Sequence, residues 1–175
     1  MTHFRSLTPS SLSRDAFVNA FADVYEHSPW VAENAFDLSL ARGQHSDIDD
    51  IEALHRLMCE SLMSADHARQ LALINAHPDL AGRAAIQGQL TQASTREQAG
   101  AGIQHCTPAE FERFSELNAA YKTRFAFPFI MAVKGSDRHQ ILAAFERRIH
   151  HTADVEFNFA LAEINTIALF RLQAL

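Results

Sequence analysis

Phe127-Pro128-Phe129-Ile130-Met131-Ala132-Val133-Lys134-Gly135 decides whether this chain is all-α or mixed. It breaks the helical pattern that precedes it. Proline inside a helix removes a donor and clashes with the turn before, at a cost of about 3 kcal/mol. A buried strand would suit the composition, but no second convincing strand exists to pair with it. The stretch therefore reads as an extended, buried connection. Extended backbone outside a ladder must still place its N–H and C=O groups. A ligand is one candidate partner, and bound water is another.

The segments on either side read as helices. Thr107-Pro108-Ala109-Glu110 has a cap, a proline at the first position and a glutamate at the third, a strong start signal. Phe111, Phe114, Leu117 and Tyr121 continue it as an apolar stripe that Phe125 extends. After Gly135, Ser136-Asp137 starts a helix carrying Ile141, Leu142, Phe145 and Ile149. Thr152 opens the last helix, which has two stripes: Val155, Phe159, Ala162, Thr166 and Leu169, and Phe157, Leu161, Ile164 and Ala168. Apolar residues on both sides predict a central helix. Arg171 near its end suits the negative helix C-terminus or clamps a ligand.

Four further helices are expected upstream. Phe17, Phe21, Val24 and Tyr25 recur at helical spacing, with Ser11 or Ser13 as cap. A second helix runs over residues 30–42 and stops at Gly43. His45-Ser46-Asp47-Ile48-Asp49-Asp50-Ile51-Glu52 is acidic, but it lacks the glycine and late glutamate of a calcium loop. It reads instead as a helix start capped by Ser46 or Asp47, with Ile48, Ile51, Leu54, Met58 and Leu62 inward. Residues 65–75 form the next helix. With a segment near residues 94–102, the tally is about eight helices in one compact all-α domain, residues 1–175.

Composition bounds the function. The chain has 175 residues, enough to bury about 70% of its unfolded surface. Its 15 basic and 21 acidic residues give a net charge of −6, which argues against duplex DNA or an anionic membrane as partner. Cys59 and Cys106 have no metal-ligand spacing and point to a reduced compartment. The longest apolar run, residues 125–133, is too short to cross a bilayer. The start lacks the apolar core of a signal peptide, and Leu172-Gln173-Ala174-Leu175 is no peroxisomal address. A cytoplasmic protein is expected.

Two polar sites stand out. His77-Pro78-Asp79-Leu80-Ala81-Gly82 follows an apolar helix. Proline disfavours the α conformation in the residue before it, so His77 is turned out of the helix, and Gly82 permits a turn. Histidine titrates near neutrality, which makes His77 a candidate acid or base; the alternative is an incidental helix stop. Ser94-Thr95-Arg96-Glu97-Gln98 has capping-box spacing between Ser94 and Glu97. A helix start also offers unpaired N–H groups to an anion. His150-His151 invites a metal, but helical neighbours point about 100° apart and no matching pair recurs nearby. No phosphate loop, His-Glu-x-x-His zinc motif or Gly-x-Ser-x-Gly elbow is present.

Three segments in order resemble the OHCU decarboxylases: the His77 hexapeptide, Ser94-x-x-Glu97-Gln98-x-x-Gly, and the Phe127–Gly135 connection. OHCU is 2-oxo-4-hydroxy-4-carboxy-5-ureidoimidazoline. The resemblance implies an all-α, cofactor-free, usually dimeric enzyme, with no metal. Its reaction is the last step of urate oxidation, giving (S)-allantoin and CO2. It implies His77 as the catalytic histidine. Pro78, Ser94, Thr95, Arg96, Glu97, Gln98, Phe129, Ile130, Met131, Ala132, Val133 and Arg171 would contact substrate. The missing peroxisomal address implies a bacterial, cytosolic member.

The residue types suit that chemistry. The ring carbon of OHCU that carries the hydroxyl and the carboxylate adjoins a C=N bond, so the ring itself accepts the electrons that CO2 leaves behind. The site must orient the carboxylate, stabilise charge on nitrogen and oxygen, and deliver one proton to one face. His77 and Glu97 are the expected acid–base groups. A helical module that binds a ureide without converting it would need the pocket but not this pair.

Overall fold

The computed structural model describes residues 2–81 and 91–175. Among them are eight α-helices and no strand: α1 (Arg14–Phe21), α2 (Trp30–Ala41), α3 (Ile51–Met63), α4 (His67–Ala76), α5 (Gln92–Gly100), α6 (Pro108–Phe125), α7 (Arg138–Arg148) and α8 (Ala153–Ala174). The all-α reading holds. The turn expected at Gly82 lies outside the described residues. Packing resolves into two units, Met1–Ala76 with Asn165–Leu175, and His77–Ile164.

The first unit is built on aromatic contacts between α1 and α2. Phe17 meets Phe21 at 4.6 Å and Phe36 at 5.1 Å between ring centroids. Ser13 caps α1 by accepting from the Ala16 N–H. Gly43 ends α2 at a φ of +64°, a conformation glycine adopts at no steric cost. The cap of α3 is Asp50, which accepts from Ala53 N–H at 3.0 Å. Ser46 and Asp47 instead belong to a 3-10 turn, His45–Asp49. Ile48, Ile51, Leu54, Met58 and Leu62 are all buried, as their spacing predicts. Asp49 accepts from both the N–H and the hydroxyl of Ser10 and fastens the N-terminal segment. At the C-terminal end, Asn165 accepts from the Tyr25 hydroxyl at 2.8 Å.

In the second unit Thr107 and Glu110 form the expected capping box on α6, and Asp137 and Gln140 form another on α7. Phe114, Tyr121, Phe129 and Phe145 are buried together. Phe129 stacks on Phe145 at 3.8 Å, and Tyr121 meets both edge-on. Phe127 lies in a bend, and residues 128–133 belong to no helix, turn or ladder, so the helix break read from Pro128 is present.

Besides the cap of α3, two further expectations differ from the fold. Ser94 is not the cap of α5: the helix begins three residues earlier, with Thr91 as cap accepting from the Ser94 N–H. Any hydroxyl can cap, and two lie three residues apart here, so spacing alone could not choose between them. The Val155 stripe of α8 is not buried. Val155 and Phe159 are 42% and 43% exposed, while Leu161, Ile164 and Ala168 are buried. An apolar stripe records what a face can bury and not whether its own chain covers it.

Candidate active site

The site grows from the end of α4. The helix stops at Ala76, and His77 lies in the bend that follows, 8% exposed. Pro78 enforces this stop because it excludes the helical conformation for His77. The chain then turns through Asp79, Leu80 and Ala81. Ala81 takes a φ of +52°, which costs a non-glycine residue about 1 kcal/mol.

Three side chains from α5 and α6 hold that turn. Gln98 is buried, and its Oε1 accepts from the Ala81 N–H at 3.1 Å while its Nε2 donates to the Asp79 carbonyl at 3.4 Å. Asn118 Nδ2 donates to the Leu80 carbonyl at 2.8 Å. Lys122 Nζ donates to Asp79 Oδ2 at 2.7 Å. The amide oxygen of Asn118, Oδ1, is buried with no hydrogen-bond partner among the described residues. These bonds fix the backbone that carries His77 and offset the strain at Ala81.

On α5, Ser94 and Gln98 lie four residues apart on the buried face, Glu97 is half-buried, and Thr95 and Arg96 are exposed. The Thr95 hydroxyl donates to the Thr91 carbonyl at 2.9 Å. Because Thr91 caps the helix, Glu97 sits a full turn past the third position and is not the partner of a capping box. Gln98 is bound to the turn that carries His77, so α5 and that turn form one assembly.

The extended connection is held from α7 and α8. Arg148 Nη1 donates to the Ile130 carbonyl at 2.8 Å. The Ala132 N–H donates to Glu163 Oε2 at 2.6 Å. Phe129, Ile130 and Val133 are buried, and Met131 and Ala132 are half-buried. Behind them, the carboxylate of Glu156 accepts from Arg148 and from the Tyr121 hydroxyl. Burial first, and the Glu156 carboxylate second, push the Tyr121 hydroxyl far above its ordinary range. His151 Nδ1 lies 2.7 Å from Glu156. This pairing gives His151 a carboxylate partner within the fold. No group of three or more metal-ligating side chains occurs among the described residues.

Arg171 belongs to the first unit. It is buried, pairs with Glu26 at 2.9 Å and donates to the Asp23 carbonyl at 3.2 Å.

Asn118, Lys122, Arg148, Glu156, Glu163 and Glu26 were not singled out in the sequence. Asn118 and Arg148 did carry a signal. Asn118 shares the buried face of Phe114, Leu117 and Tyr121, and Arg148 continues that of Ile141, Ala144 and Phe145. A polar residue on an apolar stripe needs a partner. Lys122 and Glu163 carried no such mark.

The profile of the OHCU decarboxylase family matches residues 10–173. The chain belongs to the OHCU decarboxylase family. The match extends across both units. A relative from Haloferax volcanii, 2-oxo-4-hydroxy-4-carboxy-5-ureidoimidazoline decarboxylase, is 41% identical over 161 residues, which is 92% of this chain and 89% of that protein. A human relative, named as a putative decarboxylase of the same substrate, is 33% identical, covering 93% of this chain and 90% of its own. Among solved structures, (S)-allantoin synthase superposes with a TM-score of 0.74 at 31% identity, covering 95% of this chain and 52% of that one. An OHCU decarboxylase crystallised in the presence of (S)-allantoin superposes at 0.59 and 20% identity, covering 70% and 78%, and shares the fold.

Proposed function

We propose that this chain is a carboxy-lyase that converts OHCU to (S)-allantoin and CO2, the step that completes urate oxidation, without a cofactor. The observation that carries the reading is His77 on a turn held by Gln98, Asn118 and Lys122, in a chain that matches the family over residues 10–173. A general acid must be placed to within a fraction of an ångström of its target, and three anchors on a four-residue turn supply that kind of placement.

In this mechanism the substrate carboxylate leaves as CO2. Its bonding pair forms a C=C bond to the neighbouring imine carbon, the C=N π pair moves onto nitrogen, and an enediol-like intermediate results. His77 polarises the substrate and donates a proton, while Glu97 handles the hydroxyl proton. Protonation on one face yields the S product. Pro78, Ser94, Thr95, Arg96 and Gln98 line the α5 side, and residues 129–133 hydrogen-bond the ring and ureido amides. Ile130 C=O, Ala132 N–H and Val133 C=O already serve Arg148, Glu163 and Ser136, so in this reading the ligand bonds fall to the other backbone groups of residues 129–133. The place of Arg171 rests on the resemblance. The protein works as a cytoplasmic homodimer of one-domain subunits, for which the exposed Val155 and Phe159 offer an apolar face.

Circular dichroism of freshly made OHCU tests the proposal. Wild type is expected to give a rapid, stable (S)-allantoin signal. His77→Ala is expected to lose at least about 100-fold, the lower end for a placed acid or base. Turnover of that variant within threefold of wild type removes His77 from the mechanism. Binding without conversion by wild type replaces the enzyme with a ureide-binding module.

A further inference from the structure

Buried charge in the second unit converges on the extended connection. Glu156 is fully buried and the Arg148 side chain is 4% exposed. Arg148 gives Nε to both oxygens of that carboxylate at 3.2 Å and Nη2 to one of them at 2.9 Å. The same guanidinium gives Nη1 to the Ile130 carbonyl at 2.8 Å. Its plane lies over the Phe129 ring, 4.4 Å from the centroid. Tyr121 and His151 take up the rest of the Glu156 carboxylate.

A buried ion pair is a poor source of stability, because an apolar pair of similar volume often does as well or better. This one does something an apolar pair cannot. It supplies a donor to a carbonyl that has no ladder and a flat cation to the ring one residue before it. Only a planar fork spans Glu156 and Ile130 at once; an ammonium is a point charge.

We propose that Arg148, locked by Glu156, is a positioning residue that sets residues 129–133 for substrate. It acts through Ile130 and Phe129 and does not touch OHCU itself. The proposal rests on the reading of residues 129–133 as substrate-contacting.

Steady-state kinetics on OHCU, with thermal melts, test it in three variants. Arg148→Lys keeps the buried charge and loses the fork. Arg148→Met combined with Glu156→Gln removes both charges, so neither is left alone. Tyr121→Phe weakens the hold on Glu156 and leaves the bond to Ile130. Both Arg148 variants are expected to raise KM about tenfold with kcat within threefold, the pattern of lost uniform binding. Tyr121→Phe is expected to lower Tm with KM within twofold. A folded Arg148 variant with KM within twofold of wild type overturns the proposal, as does a Tyr121→Phe KM raised as far as theirs. If one Arg148 variant fails to fold, the other decides; failure of both makes the pair scaffold and overturns the proposal. A wild type inert toward OHCU sinks the functional reading, whereas an active wild type with an unmoved KM sinks only this inference.

Discussion

Replacing Gln98 with leucine separates holding the turn from touching the substrate. Leucine is close in volume, so little cavity forms. What is lost is the acceptor for Ala81 N–H and the donor to the Asp79 carbonyl. Ala81 is 1% exposed, so water does not replace the first bond. An orphaned buried donor costs about 1–3 kcal/mol. The second bond is long at 3.4 Å and Asp79 is half-buried, so its carbonyl can turn to water at little cost. The new apolar burial offsets part of the loss, leaving about 1–2 kcal/mol. For a chain of this size each kcal/mol moves Tm by about 2–4 °C, so the expected fall is about 2–8 °C. Urea unfolding, read as a lower midpoint with unchanged slope, measures the same quantity. OHCU turnover should fall as well, because the turn carries His77. A Tm within 1 °C of wild type with an unchanged urea midpoint would refute the reasoning. Gln98 would then serve the ligand and not the turn.

Two further outcomes follow from charge. Asp50, Asp137 and Glu110 have carboxyls held below their ordinary values, first by backbone N–H donors at helix starts. The unfolded chain therefore binds more protons than the fold, and stability rises with pH through this range. Their contribution is fully present above the unfolded values near 4 and is lost as pH falls through the lower folded ones. Urea midpoints should drop below about pH 4, and Asp50→Asn should flatten part of the drop; flat midpoints from pH 5 to 2.5 would contradict this. Arg171→Met leaves the buried Glu26 carboxylate without its ion-pair partner, at a cost of about 3–5 kcal/mol. Arg171→Met with Glu26→Gln should recover most of that stability. Equal melting of the single and double variants would show that the pair does not hold this part of the first unit.

The sequence by itself determined the helices and the break between them. Pro128 and the lack of a partner strand excluded a sheet, and Thr107 and Asp137 announced the starts of α6 and α7. His77 ahead of Pro78 marked the end of α4. These are local effects, set by one or two dihedrals and by hydrogen bonds three or four residues apart, so a linear reading can reach them. The choice of Thr91 over Ser94 as cap was not legible, because both hydroxyls satisfy the local rule. Nor was the exposure of Val155 and Phe159, because a stripe does not name its cover. The structure alone decided what holds the site. Gln98 and Asn118 meet the His77 turn from 17 and 38 residues away in sequence, and Arg148 reaches Ile130 across 18. Those partners are chosen by the packing of whole helices, which places donors beside carbonyls that no local pattern pairs.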